Sequence, residues 1–448
     1  MKTNNYKFLY AVMILLFVSS CSDLEEEPAS FFVSDGFLQT SADADGAVIG
    51  AYAALRTNGY YGREYFYISD MISDQLITNF GDSSLNDFVY NSENNRIGDL
   101  WDAIYTAINR ANFVIQKVPE IDIDQNIIDG FVAEGKFLRA LNYFNLVKMW
   151  GEVPLRLELL TSIDDARLPK STTTEIYDQI INDLTESENI LPSEAPSGQG
   201  GRATSWAAKA LLAKVYLYAG KFELSAEKAR EVIDNGPFSL FNSYGDIWLV
   251  ENENTVEHIF QIQNNVENPN GLKTWFTPRG TDFPGSPRGW FHLEMDEDFF
   301  LSFETGDSRQ QLIDTTYVNT SNNVVSTGAF NKKFIATGEA SVSDNQHNVN
   351  YPVLRFSEVL LIYAEASAKA NGGPTEDSYN AINELRDRAF GDTAHHIPNN
   401  LGLDEFINAV IAERHFELFA EGDRYWDLAR TGKFINSFPG LPVENKHQ

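Results

Sequence analysis

The chain has 448 residues and a formal charge of −30. Its 64 acids against 34 bases, with no basic stretch among them, repel a phosphate backbone and exclude nucleic acid as a partner. At 43% hydrophobic it is neither disordered nor, past its first twenty residues, membrane-spanning, and a chain this long buries its core without disulfides.

The chain opens MKTNNYKFLYAVMILLFVSS. Lys2 and Lys7 make a positive start, and Phe8 to Val18 form an apolar run too short to cross a bilayer, which is a secretory signal pattern and not a membrane helix. Where an ordinary signal closes on an A-x-A-like site, this one closes on Val18-Ser19-Ser20-Cys21, and Cys21 is the only cysteine. That run resembles a bacterial lipobox, whose thiol accepts a diacylglycerol and whose amine, freed by cleavage, takes a further acyl chain. Each buried methylene contributes about 0.8 kcal/mol, so two or more chains anchor stably. The alternative is a secreted protein with a chance cysteine at its cleavage site; the spacing favours the anchor. Asp23, Glu25, Glu26 and Glu27 follow, and resemble the signals that send some lipoproteins to the outer face of the outer membrane. They also suit a solvated tether stiffened by Pro28. Without Lys2 and Lys7 the balance falls to about −32.

Helical periodicity then dominates. DGAVIGAYAALR (Asp45 to Arg56) reads as an amphipathic helix. GDLWDAIYTAINRANFVIQKV sets Trp101, Ile104, Tyr105, Ile108, Asn112 and Ile115 on one face, and Pro119 stops it. IIDGFVAEGKFLRALNYFNLVKMWG and STTTEIYDQIINDLTESENI are two further helices, and PSEAPSGQGGR is loop. In ALLAKVYLYAGKFELSAEKAREVIDNGPF, residues Ala213, Tyr216, Gly220, Phe222, Ser225, Ala229, Val232 and Pro237 stand at the offsets of a tetratricopeptide-type hairpin. One such repeat cannot bury its apolar face, so several must stack.

From about Phe241 to Tyr351 the periodicity fails, and short β-like pieces such as EHIFQIQ alternate with Gly-, Pro- and Asn-rich loops. Helices resume in SEVLLIYAEASAKANGG, TEDSYNAINELRDRAF and LDEFINAVIAERHFELFAEG. The predicted organisation is a signal at 1–20, an acidic tether at 21–30 and a single mainly α body at 31–448. Its helical scaffold covers about 40–240 and 352–432, with a loop-rich insert containing short β pieces at about 241–351.

Catalytic motifs are missing: there is no H-E-x-x-H, Gly-x-Ser-x-Gly, P-loop or dinucleotide fingerprint. His395-His396 lies in a polar loop and reads as a surface pair, not a metal site; His415 reads as satisfied within its helix. No cofactor or metal is implied. Among so many acids, a carboxylate pair for glycoside hydrolysis is not excluded by spacing.

Four stretches carry a family resemblance. AEGKFLRALNYFNLVKMWGEVPL (Ala133 to Leu155) has an Arg-Ala-x-x-Tyr-Phe helix and a Gly-x-Val-Pro turn. RATSWAAKALLAKVYLYAGKFELSAEKAREVIDNG is the central hairpin. LRFSEVLLIYAEASAKANGG, with AINELRDRA after it, and AERHFELFAEGDRYWDLARTG (Ala412 to Gly432) complete the set. Together with the lipobox they resemble the SusD/RagB family of outer-membrane nutrient-binding lipoproteins, from Cys21 to about Gly432. Members typically continue through a Pro- and Asn-containing tail, whereas here the chain reads LPVENKHQ, either a short member or an incomplete sequence. Within these motifs Arg355, Glu358, Glu413, Arg414, Glu417, Glu421, Arg424, Asp427 and Arg430 stand among apolar residues. They are expected to pair as structural charges, with Trp426 an interhelix wedge.

The resemblance implies a lipid-anchored lid, facing the cell exterior, over a SusC-like TonB-dependent outer-membrane transporter, which captures a glycan or oligosaccharide and is not an enzyme. The same lid with a peptide cargo, and a surface glycoside hydrolase, are the competing readings. Sugars present apolar C–H faces and polar edges, so a platform needs exposed rings with polar groups around them. With 13% aromatics the chain can supply them from two loop regions. The candidates are Asp74, Asn79 and Phe80, with Phe88 nearby, and Trp275, Phe276, Arg288 and Trp290, with Arg279 nearby. For the two tryptophans a mini-core beneath the loop is the competing reading. NGYYGREYFY (Asn58 to Tyr67) is expected to pack under the first loop and leave Tyr60 or Tyr61 exposed.

Overall fold

Thr40 opens the first helix with a capping box: its hydroxyl accepts the Asp43 N–H at 3.2 Å, and its own N–H donates to the Asp43 carboxylate at 2.8 Å. The computed structural model describes residues 38–78, 83–159, 167–265, 270–280, 289–335 and 348–438, so Cys21 and the signal lie outside the described residues. In order, the first elements are α1 (Ser41–Leu55), α2 (Glu64–Met71), β1 (Leu76–Thr78), α3 (Ser83–Asn86), α4 (Asn95–Lys117) and α5 (Gln125–Trp150). Then come α6 (Thr173–Ile190), α7 (Ser205–Tyr218) and α8 (Phe222–Asn235). Asn94 and Asp124 cap α4 and α5 by accepting N–H groups of the first turn, and Thr172 with Glu175 forms a second capping box on α6.

These helices stack in chain order, α4 on α5, α5 on α6, α6 on α7 and α7 on α8. The buried stripe of α4 is Leu100, Ile104, Ala107, Ile108, Ala111, Asn112 and Val114, which keeps Ile104, Ile108 and Asn112 of the expected face but not Trp101, Tyr105 or Ile115. Small Ala111 meets Gly135 of α5, where a methyl would lie 3.0–3.3 Å from Ile115, Val114 and the Ala111 carbonyl. This close approach leaves Trp101 half-exposed, edge-on to Trp150. In the α7–α8 hairpin, turned at Gly220, the Ser225 hydroxyl donates across to the Ala213 carbonyl at 2.7 Å. That bond explains why both positions hold small residues.

The insert supplies β2 (His258–Ile262), α9 (Leu272–Phe276), β3 (Leu293–Met295), α10 (Glu297–Leu301), β4 (Ile313–Val318), β5 (Val324–Asn331) and β6 (Tyr351–Arg355). Among the described residues the strands form three antiparallel pairs: β1 with β3, β2 with β6, and the β4–β5 hairpin. The first pair sews the insert to the early chain, and β6 runs directly into α11 (Phe356–Asn371). The last helices are α12 (Glu376–Phe390), α13 (Leu403–Glu417), α14 (Arg424–Arg430) and α15 (Phe434–Ser437), with α11 packed on α8, α12 and α13. The described residues from Thr40 onward pack as one unit, a mainly helical scaffold with short strands.

Its centre is ionic. Arg355, wholly buried, donates Nε and Nη2 to Glu421 at 2.8 and 2.9 Å and Nη1 to Glu257 at 2.8 Å and Glu417 at 3.1 Å. Arg388 joins Glu257 and Glu417, and Arg309 joins Asp307, Glu413 and Glu417. Burial alone would raise the Glu417 carboxyl, yet Arg388, Arg355 and Arg309 hold it well below the usual carboxylate range. A second cluster ties the hairpin to the last helices. Lys214 meets Glu358 and Asp423 at 2.8 Å, while Arg414 donates to Asp427 at 2.6 Å and to Glu358 at 3.1 Å. Arg430 binds Glu365 through both terminal nitrogens. The signature charges are therefore a structural lock, fully paired because isolated buried charges would cost several kcal/mol.

Candidate functional site

The β1–β3 ladder pairs Thr78 with Leu293, so His292 and the residues before it leave the sheet at the end where β1 stops. Gly289 lies against the turn after α9: a Cβ there would fall 2.0 Å from the Thr277 carbonyl oxygen. Trp290 then donates its N–H to the Thr274 carbonyl at 2.7 Å. Phe291 follows in the left-handed region, at φ 49°, uncommon for a bulky residue and a sign that the turn is imposed by its surroundings. The outcome is a tryptophan displayed at the surface, 38% exposed, on a fixed backbone.

Beneath it lies Trp275, only 6% exposed. The two indoles meet edge to face, centroids 5.2 Å apart, and His292 closes on Trp275 at 4.8 Å. Tyr67 packs edge-on against the other flank of Trp275 at 5.4 Å. Two guanidiniums border the cluster: Arg96 lies 4.2 Å from the Tyr67 centroid and 5.9 Å from that of Trp275, and Arg63 lies 5.8 Å from Trp275. Both are oriented by Glu64, a fully buried carboxylate to which Arg96 donates at 3.1–3.2 Å and Arg63 donates through Nε at 2.6 Å. Such a surface offers a flat ring with polar edges, the combination a sugar ring needs.

The other candidates go elsewhere. Phe276 is a core residue with no exposed area, packed against Phe66 and Phe334, because the last turn of α9 points it inward. Trp275 is likewise a support and not a displayed face. Asp74 spends both oxygens on Arg424, each at 2.7 Å; burial would raise its carboxyl, but Arg424 and His415 hold it below its ordinary value. Phe88 is buried against Phe434 and Phe438. Asn79, Phe80 and Arg288 lie outside the described residues. Tyr60 and Tyr61, one of which was expected to be exposed, are both buried, because Asn145 donates to both hydroxyls at 2.7 and 2.8 Å. Arg63, Glu64, Tyr67, Arg96 and His292 were not singled out as site residues from sequence. GREYFY announced an aromatic cluster, but nothing local to Arg96 signals that α4 returns to it.

His415 and His395 are packed as structural residues. Burial pushes His415 down to about 3, aided by Arg424, and Gln75 Nε2 lies 3.1 Å from its Nδ1. His395 stacks on Phe390. Among the described residues no group of His, Cys, Asp and Glu is placed to hold a metal ion. A separate pocket of about 390 Å³ lies between α2, α4 and α14. Trp426 stands on its wall, mostly buried, its N–H reaching Ser69 Oγ at 3.3 Å. Its lining mixes aliphatic Ile68, Ile72, Leu85 and Leu100 with the polar and aromatic side chains of Tyr90, Asn91, Ser92, Trp150 and Tyr425.

Comparison with known proteins agrees with this architecture. Residues 243–441 match the SusD family, and residues 24–217 match a family described as "Starch-binding associating with outer membrane". A SusD-like protein P2 from Formosa agariphila is 29% identical, over 95% of this chain and 90% of its own length. A SusD homologue from Bacteroides thetaiotaomicron superposes with a TM-score of 0.82 at 22% identity, over 91% of this chain and 89% of that one. A laminarin-binding SusD-like protein superposes at 0.78 with 26% identity, over 91% and 96%. With both halves matched and the fold shared throughout, the chain belongs to the SusD family.

Proposed function

We propose that the protein is a lipid-anchored outer-membrane protein, facing the cell exterior, that binds an oligosaccharide at Trp290 and passes it uncleaved to a SusC-like TonB-dependent transporter. The observation that carries this reading is the displayed indole of Trp290, held rigid by Trp275 beneath it and by the Thr274 carbonyl. A preordered ring loses little entropy when a sugar face settles on it. The family descriptions of starch binding and outer-membrane association, and the laminarin-binding relative, support the ligand class. Binding without hydrolysis fits the carboxylate of the cluster: Glu64 is sealed from solvent and neutralised by two guanidiniums, so it is unavailable as acid or nucleophile. Cys21, followed by its acidic run, is the proposed point of acylation.

Fractionation of cells producing the full chain tests this. The protein should carry acyl chains on Cys21, co-purify from outer membranes with a large β-barrel transporter, and return starch or laminarin oligosaccharides at their original length. New reducing ends, or unacylated protein in the cytoplasm, would overturn the reading.

A further inference from the structure

A second concavity, an open cleft of about 460 Å³, lies away from Trp290, between α1, the glycine-rich loop at 198–202 and the end of β2. Ile49 and Tyr52 line it from α1, and Arg56 from the residue that caps the helix's C-terminal end. Arg56 is unusual here. Among the described residues its guanidinium has no hydrogen bond or ion pair, in a chain where acids outnumber bases almost two to one. Arg202, on the opposite wall, donates Nε to Glu134 at 2.8 Å and Nη1 to Asp45 at 2.6 Å and Gln199 at 2.8 Å. Its Nη2 is buried and has no partner among the described residues. With no exposed surface, that nitrogen is not open to the cleft, and Arg56 is the guanidinium that a ligand can reach.

The rest of the cleft is built to hold its shape. A Cβ on Gly201 would lie 1.9 Å from Gln263 Cγ, so only glycine lets the loop press this close. Gln263 in turn exchanges two 2.9 Å hydrogen bonds with Asn254 and accepts a third from Asn350 at 3.1 Å. The apolar part comes from Ile49, 53% exposed, with the Tyr52 and Phe260 rings 6.5 Å apart. Planar guanidiniums beside amides and an apolar patch suit a ring that carries both hydroxyls and a carboxylate.

We propose that this cleft is a second saccharide site, selective for sugars bearing a carboxylate, which meets Arg56. The proposal rests on the glycan-binding reading and adds to it a charge-reading site distinct from the Trp290 platform.

Isothermal titration of the full chain with oligogalacturonate, oligomannuronate and neutral laminari-oligosaccharide tests it. At least one uronate should bind, and Arg56→Gln, which removes no partnered group, should weaken it tenfold or more, with Arg56→Lys intermediate. Trp290→Ala should leave uronate affinity unchanged, and Arg56→Gln should leave neutral glycan affinity unchanged. Binding of neither uronate, or uronate binding that survives Arg56→Gln or fails in Trp290→Ala, would overturn the second site while leaving the platform standing. Loss of the platform reading shows separately, as failure of the neutral glycan to bind.

Discussion

Trp290 stands edge-on against Trp275, ring centroids 5.2 Å apart and planes at 78°, so one indole is displayed while the other is its footing. The two should respond differently to truncation. Trp275→Ala empties a buried site between Tyr67 and His292 and should destabilise the fold by about 3–5 kcal/mol. Trp290→Ala, at the surface, should stay within about 1 kcal/mol of the parent. Denaturant midpoints read both; equal losses would mean that Trp290 is also part of the core.

Gly289 carries a second prediction. Its Cβ would collide with backbone, the carbonyl oxygens of Thr277 at 2.0 Å and Pro278 at 2.5 Å, which no rotamer change relieves. Gly289→Ala should displace Trp290, shift its fluorescence and weaken glycan binding tenfold or more, with far-UV circular dichroism unchanged. An alanine variant with parental affinity would show that the platform does not depend on this close approach.

The Arg355–Glu421 pair is expected to behave as a buried ion pair does. Arg355→Gln leaves Glu257, Glu417 and Glu421 short of a shared cation and should cost about 3–5 kcal/mol. Adding Glu421→Gln should recover part of that loss, because one stranded charge goes with it. A double variant no more stable than Arg355→Gln alone would contradict this.

Asp70 predicts a pH dependence. It is fully buried, with Oδ1 accepting the Gly422 N–H at 3.0 Å and Oδ2 without a partner among the described residues. Burial pushes its carboxyl up to about 8 against that hydrogen bond, with Asp423 and Glu421 adding to the rise. A folded-state pKa above the unfolded one means that the native state holds the extra proton. The contribution of Asp70 to stability is therefore complete near pH 4 and is lost as pH rises towards 8, by at most about 1.4 kcal/mol per pH unit. Asp70→Asn mimics the protonated form, so its stability relative to the parent should grow from pH 4 to pH 8 in urea titrations. A constant difference across that range would show that Asp70 does not titrate there.

Local patterns made the scaffold legible. The helices of 98–118, 127–151, 171–190 and the 210–238 hairpin fall within a few residues of their expected spans, since apolar spacing and caps are properties of neighbours in sequence. The structural role of Arg355, Glu417 and Asp427 was also readable, as charges set among large apolar residues. Their partners were not: Glu257 meets Arg355 across 98 residues and Arg309 meets Glu417 across 108, separations that leave no local trace. The same limit explains the site. Aromatic loops were visible, but which tryptophan faces solvent depends on Gly289 meeting the Thr277 carbonyl and on α4 carrying Arg96 back to Tyr67.

The most direct measurement is calorimetric titration of neutral laminari- and malto-oligosaccharides, and of peptides, into the parent protein and Trp290→Ala. Saturable binding of an oligosaccharide, reduced about thirtyfold (about 2 kcal/mol) by the substitution, with peptides inert, is the predicted result. Affinity for sugar that is untouched by removing Trp290, or capture of peptides in place of sugar, would contradict the account.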